Sequence, residues 1–257
     1  DLISMKIRVA HELEPDNGEA LNNLGYVLEK LERYGSAKRI YERVLDIDQE
    51  NVEALINLAH IYDLEGDYFG AVAQYQKAIG LAPGEIAAHF CLAVLYDRHD
   101  MFDEARDEYK AALELDPYHV KALFNLGNIL AQEGDHKNAS ICYKRVLVLD
   151  PSDAAAWNNL GSLFQETGES TKAEKMYRTC LSLDPFREEA NFNLARLQYT
   201  RGGGNIDICA AREITERLNF VLSVNPHHKK AEMLLRDISR HCSSGSFGRS
   251  PEGAGQR

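Results

Sequence analysis

The chain has 257 residues, of which 44% are hydrophobic and 27% are charged, a balance typical of a folded protein. Its formal net charge is −11 at pH 7, so phosphate backbones and anionic membrane surfaces would repel it. Nucleic acid is therefore not an expected direct partner. The sequence also has no run of about 18 apolar residues of the kind that predicts a membrane span, so direct membrane insertion is not expected.

One apolar landmark recurs along the chain every 34 residues, namely the leucines Leu24, Leu58, Leu92, Leu126, Leu160 and Leu194. A glycine or alanine follows each of them. An Ala-x3-Tyr motif recurs with the same period, from Ala37 and Tyr41 in the first copy to Ala173 and Tyr177 in the fifth. A fixed period of this length predicts stacked helix–turn–helix units.

In chain order, residues 1–17 are interpreted as the second helix of a truncated repeat. Residues 188–228 are the last full repeat and contain an insertion near 201–208, where Gly202-Gly203-Gly204 predicts a flexible loop. Residues 229–242 are predicted to form an amphipathic capping helix, which solenoids need for solubility. A tail rich in Ser, Gly and Arg, 243–257, is predicted to be disordered. The six predicted repeats are 18–51, 52–85, 86–119, 120–153, 154–187 and 188–228.

Each repeat carries two apolar stripes with helical spacing, and the unit 120–153 is representative. Gly134-Asp135 separates its two stripes, and Pro151 follows the second, where it would end the helix. One such helix pair cannot bury its own apolar face, so neighbouring pairs must stack. The predicted fold class is all-α.

The pattern W-x2-L-G-x2-Y…A-x3-F…P is best matched at Trp157, Leu160, Gly161, Phe164, Ala173, Tyr177 and Pro185. The chain thus resembles the tetratricopeptide repeat (TPR) family over 18–228. The resemblance implies a right-handed α-solenoid of tandem helix–turn–helix repeats. It also implies a non-catalytic scaffold or adaptor that binds peptide segments of other proteins in a concave groove lined by the first helices.

An asparagine precedes the landmark leucine in five of six repeats, at Asn23, Asn57, Asn125, Asn159 and Asn193. Asparagine is a mediocre mid-helix residue, so helix propensity does not explain it. Its amide can both donate and accept, and so can bind a peptide bond bidentately. This set resembles the asparagine ladder in the TPR arm of O-GlcNAc transferase. The alternative, hydrogen bonds made within the array itself, remains open.

Phenylalanines at Phe90, Phe124 and Phe192 are predicted to be apolar anchors in the middle and later parts of the groove. The early repeats predict an acidic face opposed by Lys30 and Arg98. We therefore expect a ligand with basic and hydrophobic residues. The acids concerned are Glu19, Glu29, Glu53, Asp63 and Asp97.

No catalytic or metal-ligand spacing is present in the sequence, and no cofactor is expected. The five cysteines are odd in number and include no C-x-x-C pair, which favours free thiols and an intracellular, cytoplasmic location. Two other functions stay open. One is the substrate-recruiting arm of a larger enzyme such as a glycosyltransferase, and the other is a structural subunit of a large assembly. The oligomeric state is not predicted.

Overall fold

The computed structural model describes residues 17–202 and 206–243. These residues form thirteen α-helices and no strand. The helices are α1 (Gly18–Lys30), α2 (Tyr34–Ile47), α3 (Val52–Leu64), α4 (Tyr68–Leu81), α5 (Ile86–Arg98), α6 (Phe102–Leu115), α7 (Val120–Gln132), α8 (His136–Leu149), α9 (Ala154–Glu166), α10 (Ser170–Leu183), α11 (Glu188–Arg201), α12 (Ile208–Val224) and α13 (Lys229–Ser243).

The helices α1 to α12 alternate as the first and second members of six tandem pairs, and α13 follows the last pair. This order confirms the predicted fold class, an all-α array of helix–turn–helix repeats. The helix predicted over 1–17 lies outside the described residues except for residue 17. The predicted tail, 243–257, lies outside them except for Ser243, which ends α13, and so does the middle of the predicted insertion, 203–205.

The chain divides into two compact units, 1–126 and 127–257, and the division falls inside α7. In the first unit, each helix from α1 to α6 packs on the next, and α3 also contacts the first helices on either side of it, α1 and α5. In the second unit, the helices from α8 to α13 pack in the same sequential way, and α9 contacts α11.

Asparagine and aspartate side chains begin several of the helices. Asn17, Asn51 and Asp153 each accept a hydrogen bond from the backbone N–H three residues further on, at 2.9–3.0 Å. Short polar side chains in this position satisfy one of the N–H groups that a helix start leaves without a partner. The repeat boundaries are therefore determined by local capping as well as by the proline or polar residues before them.

The turn inside each of the first five hairpins places one residue in the left-handed region of backbone space. Gly66, Gly134 and Gly168 have φ of 80–82° there, and glycine adopts this conformation without a Cβ penalty. The first and third repeats place Glu32 (φ 57°) and Asp100 (φ 58°) at the same point of the turn. These two repeats therefore keep the left-handed turn although glutamate and aspartate adopt that conformation less readily than glycine does.

In the first five hairpins, a tyrosine from the second helix fills the space beside the small residue of the preceding first helix. A Cβ added at Gly161 would lie 2.7 Å from Cε1 of Tyr177, and one added at Gly127 would lie 2.8 Å from Cε1 of Tyr143. The absent side chain makes room for the ring. The buried tyrosines of this set are Tyr41, Tyr75, Tyr109, Tyr143 and Tyr177.

The last helix covers the apolar face of α12. Ala231 and Ile238 of α13 are buried in one cluster with Ile214 and Leu218 of α12. Arg236 of α13 is exposed. None of the described helices combines the length and the hydropathy that crossing a membrane requires.

Candidate functional site

The five asparagines predicted to form a ladder do not share one environment. Asn23 is exposed on α1, and Asn57 is half-buried on α3. Within the described residues, neither side-chain amide makes a hydrogen bond. Both amides are therefore available to another molecule, because an amide in contact with solvent can exchange water for a peptide group.

The side chain of Asn125 makes a hydrogen bond within the protein. Its Nδ2 donates a hydrogen bond to the hydroxyl of Tyr109 at 2.9 Å, and that hydroxyl donates to Oδ2 of Asp97 at 3.3 Å. Cys91, which replaces asparagine in α5, shares a hydrogen bond with the hydroxyl of Tyr75. Burial raises the pKa of both groups. The residue before the landmark leucine thus meets the tyrosine of the preceding repeat in these two cases.

In the second unit, the amides join into a continuous hydrogen-bonded chain. Nδ2 of Asn193 donates to Oδ1 of Asn158 at 3.2 Å, and Nδ2 of Asn158 donates to Oδ1 of Asn159 at 3.2 Å. Nδ2 of Asn159 then donates to Oδ1 of Asn128 at 2.9 Å, which also accepts from the hydroxyl of Tyr143 at 2.7 Å. Asn159 and Asn193 therefore connect successive first helices to one another.

Asn158 is the member of this chain that the sequence pattern did not single out. It is buried and links Asn193 to Asn159. Its position is occupied by phenylalanine in three other repeats, so the residue type changes along the array. The only sequence feature that could have pointed to Asn158 is the asparagine pair at 158–159.

The three predicted phenylalanine anchors are all half-buried or buried within the protein. Phe192 is 8% exposed, belongs to the core cluster, and lies 4.5 Å from the ring of His228. Phe90 is half-buried, with its ring centre 4.7 Å from that of His119 and 6.0 Å from that of Tyr109. Phe124 is half-buried on α7. Phe90 and Phe124 retain exposed area, whereas Phe192 offers little.

Three carboxylates occupy the same place in successive first helices. Glu29, Asp63 and Asp97 each lie in the last turn of α1, α3 and α5, one repeat apart. Glu29 is 8% exposed and the side chain of Asp63 is 10% exposed. Burial raises the pKa of Asp97, and the hydrogen bond from Tyr109 opposes that shift. This set of three residues is termed the acidic register.

Two of the three carboxylates in the acidic register lie close to a cation in the same unit. Arg98 forms an ion pair with Asp63, and Lys30 lies 3.4 Å from Glu29. Nζ of Lys30 also lies 4.8 Å from the ring centre of Tyr26, which is half exposed. The predicted acids Glu19 and Glu53 lie in the first turns of their helices instead, and Oε2 of Glu53 accepts from Asn22 at 3.3 Å.

The described residues contain no group of three or more His, Cys, Asp or Glu side chains that could hold a metal ion. Cys91, Cys142, Cys180 and Cys209 are free thiols. Burial raises the pKa of Cys180 to about 11, so its thiol stays protonated and unreactive near neutral pH.

Family models match the chain along most of its length. Residues 22–86, 86–119, 108–139 and 154–187 match models described as tetratricopeptide repeat, and 127–168 match a model described as TPR repeat. Together the matched ranges run without a gap from residue 22 to residue 187, which is more than half of the chain. No curated protein sequence gives a significant match.

Solved structures share the fold at low sequence identity. A chain from the APC/C hetero-tetramer Cut9–Hcn1 is 17% identical, with a TM-score of 0.70 over 93% of this chain, which spans 46% of that chain's length. YrrB, described as a TPR protein with an unusual peptide-binding site, is 20% identical, with a TM-score of 0.63 over 78% of this chain and 97% of its own. Pseudomonas aeruginosa PilF is 16% identical, with a TM-score of 0.72 over 87% and 96% respectively.

At these identities the structural likeness concerns the fold alone. The family matches, the 34-residue period and the helix pairs agree with one another. The chain belongs to the tetratricopeptide repeat family.

Proposed function

We propose that this chain is a protein–protein interaction scaffold that binds an extended, basic segment of a partner protein on the first-helix face of residues 17–126. The observation that carries the proposal is the acidic register, Glu29, Asp63 and Asp97, on the same first helices as Asn23 and Asn57, whose amides make no hydrogen bond within the described residues. Family membership supports the general function, since TPR arrays are interaction modules.

The chemistry of the face suits a lysine- or arginine-bearing peptide. Partly buried carboxylates attract cations more strongly than fully solvated ones, because less water screens them. Amides at Asn23 and Asn57 can bind the peptide backbone whatever its side chains. Exposed ring area on Tyr26 and Phe90 adds apolar contact.

The proposal gives Asn125, Asn159 and Asn193 a different role from Asn23 and Asn57. Their amides hold neighbouring elements of the array together through Tyr109 and through other amides. They would contribute to binding by keeping the first helices in register. We therefore propose the structural role for the later asparagines and the binding role for Asn23 and Asn57.

The test is a selection of random dodecapeptides displayed on phage, followed by fluorescence anisotropy with the selected peptides. The test variant is Asn57→Ala/Asp63→Asn. The matched control is Asp103→Asn/Asp107→Asn, which also changes two polar side chains but on the exposed side of α6. Circular dichroism confirms the fold of both.

We expect the selected peptides to be enriched in Lys and Arg, and their affinity to fall by about tenfold or more in the test variant. Affinity should also fall between about 50 mM and about 500 mM NaCl, because salt screens the attraction. The proposal is wrong if the selected peptides lack basic residues, or if the test variant binds them as well as the control does.

A further inference from the structure

A second surface lies between α8, α9 and α10, in the unit 127–257. Two adjoining cavities of about 510 and about 450 Å³ open there, and both are lined by Lys144, Phe164 and Lys172. This surface involves second helices as well as a first helix, and so it is separate from the face proposed above. It is termed the lysine groove and is defined by Lys144, Val148, Trp157, Phe164, Lys172 and Lys175.

The floor of the lysine groove is apolar. Val148 is 80% exposed, although nothing in the packing of α8 requires a valine on the surface. Nε1 of Trp157 donates to the backbone oxygen of Pro151 at 2.9 Å, so the polar atom of the indole is satisfied. Phe164 is half-buried between the two cavities. Contiguous apolar area at a concave surface is a common feature of binding sites.

The rim of the lysine groove is basic, in a chain whose net charge is −11. Nζ of Lys172 lies 5.3 Å from the ring centre of Phe164, and Nζ of Lys144 lies 5.8 Å from it. Lys172 forms an ion pair with Glu169. Lys144 and Lys175 form no ion pair within the described part of the chain, although the charge of Lys144 also acts on Glu169.

The repeat architecture does not require these lysines. Two repeat periods earlier, α6 carries Glu104, Asp107 and Glu108 at the positions that are Lys172, Lys175 and Met176 in α10. Both helices fold and pack in the same way within their hairpins, with Ala105 and Ala173 buried at the equivalent place. The reversal of charge is therefore a property of this surface and not of the fold.

We propose that the lysine groove binds a segment of a partner protein that combines Asp or Glu with large apolar residues such as Leu or Phe. Carboxylates would pair with Lys144, Lys172 and Lys175, while an apolar side chain would fill the cavity over Trp157 and Phe164. Complementary charge around an apolar anchor gives both steering and specificity. The partner segment would be opposite in charge to the one bound at the acidic register.

The test uses a fluorescein-labelled dodecapeptide with Glu at half of its positions and Leu or Phe at the others, and a charge-swapped peptide with Lys in place of Glu. Anisotropy is measured with wild type, Lys144→Glu/Lys175→Glu and Val148→Ser. The matched control is Lys110→Glu, because Lys110 holds the position of Lys144 one repeat earlier and is also exposed. Sedimentation velocity of each protein is recorded in parallel.

We expect the acidic peptide to bind wild type and the charge-swapped peptide to bind at least about tenfold more weakly. The Lys144→Glu/Lys175→Glu variant should lose about tenfold or more in affinity for the acidic peptide, Val148→Ser about threefold, and Lys110→Glu less than about twofold. The Asn57→Ala/Asp63→Asn variant should retain full affinity for it, so this result is independent of the first proposal.

Three results would overturn the proposal. One is equal or tighter binding of the charge-swapped peptide to wild type. Another is unchanged affinity for the acidic peptide in Lys144→Glu/Lys175→Glu. The third is self-association of wild type that this variant abolishes, because the groove would then be an interface between copies of the chain. Val148→Ser changes an exposed side chain only, so it reports on the groove even if the charge reversals alter folding.

Discussion

The side-chain amide of Asn125 donates a hydrogen bond of 2.9 Å to the hydroxyl of Tyr109, a buried tyrosine of the preceding repeat. Tyr109 in turn donates to Asp97. Asn57, the equivalent asparagine two repeats earlier, makes no such bond among the described residues. The same sequence motif is therefore hydrogen-bonded within the fold at Asn125 and not at Asn57, and substitution can test the difference.

Replacing Asn125 by alanine should destabilise the protein by about 1–2 kcal/mol, because the buried hydroxyl of Tyr109 loses a donor. Asn57→Ala, at the same register two repeats earlier, should change stability by less than about 0.5 kcal/mol. Urea unfolding followed by circular dichroism measures both values. Equal losses in the two variants would contradict the distinction between them.

Gly161→Ala should destabilise the protein by about 1–2 kcal/mol. The new Cβ would lie 2.7 Å from Tyr177, and the cost of overpacking exceeds the gain in helix propensity. The measurement is the midpoint of thermal unfolding.

The control for this steric argument is Gly80→Ala, near the end of α4, where a Cβ meets nothing within 4 Å. It should stabilise the protein by about 0.5–1 kcal/mol through helix propensity alone. If Gly161→Ala is stabilising as well, close contact with Tyr177 is not the reason for the glycine.

Glu32→Gly should stabilise the protein by about 0.5–1 kcal/mol, because Glu32 holds a left-handed conformation that glycine adopts freely. Asp100→Gly should gain less, since aspartate tolerates this region better than glutamate does. Chemical unfolding of the single variants and of the double variant measures the gains.

Gly134→Ala provides the reverse experiment at the same point of a turn. Its φ of 82° should make alanine destabilising by about 1 kcal/mol, although space around the residue is open. A neutral result there, with no gain from Glu32→Gly, would show that the turn relaxes without strain.

The sequence predicted the helical hairpins, because they follow from local periodicity. The small residue and the tyrosine that pack together, such as Gly161 and Tyr177, also recur in the sequence with that period. Periodicity also placed Asn23 and Asn57 on the first helices.

The repeat pattern could not predict the hydrogen-bond partners of the later asparagines. Asn159 binds Asn128 and Asn158, and both lie at positions where the residue type changes from repeat to repeat. Such contacts depend on how neighbouring helices meet, which a 34-residue period does not specify. The burial of Phe192 has the same origin, because it packs in one cluster with residues of α12 and α13, which follow the insertion that breaks the 34-residue period.

The buried tyrosines predict how the protein responds to alkali. Burial raises the pKa of Tyr41, Tyr75 and Tyr109 well above the ordinary value, raises that of Tyr143 to about 12, and also raises that of Tyr177. A pKa that is higher in the folded than in the unfolded state gives stability that is fully present below the unfolded pKa. That stability is lost as the pH rises from about 10 through the folded value.

We therefore expect the unfolding temperature to fall steeply above about pH 10, and the ultraviolet absorbance of tyrosinate to show these five tyrosines ionising only as helix is lost. Tyr143→Phe should flatten the alkaline fall by removing one ionisable group, at a cost in stability near neutral pH because Asn128 loses a donor. Tyr118→Phe, at an exposed site, should change neither. Ionisation of all twelve tyrosines near pH 10 in a protein that keeps its helical circular dichroism would mean that these rings are not shielded from water as the packing requires.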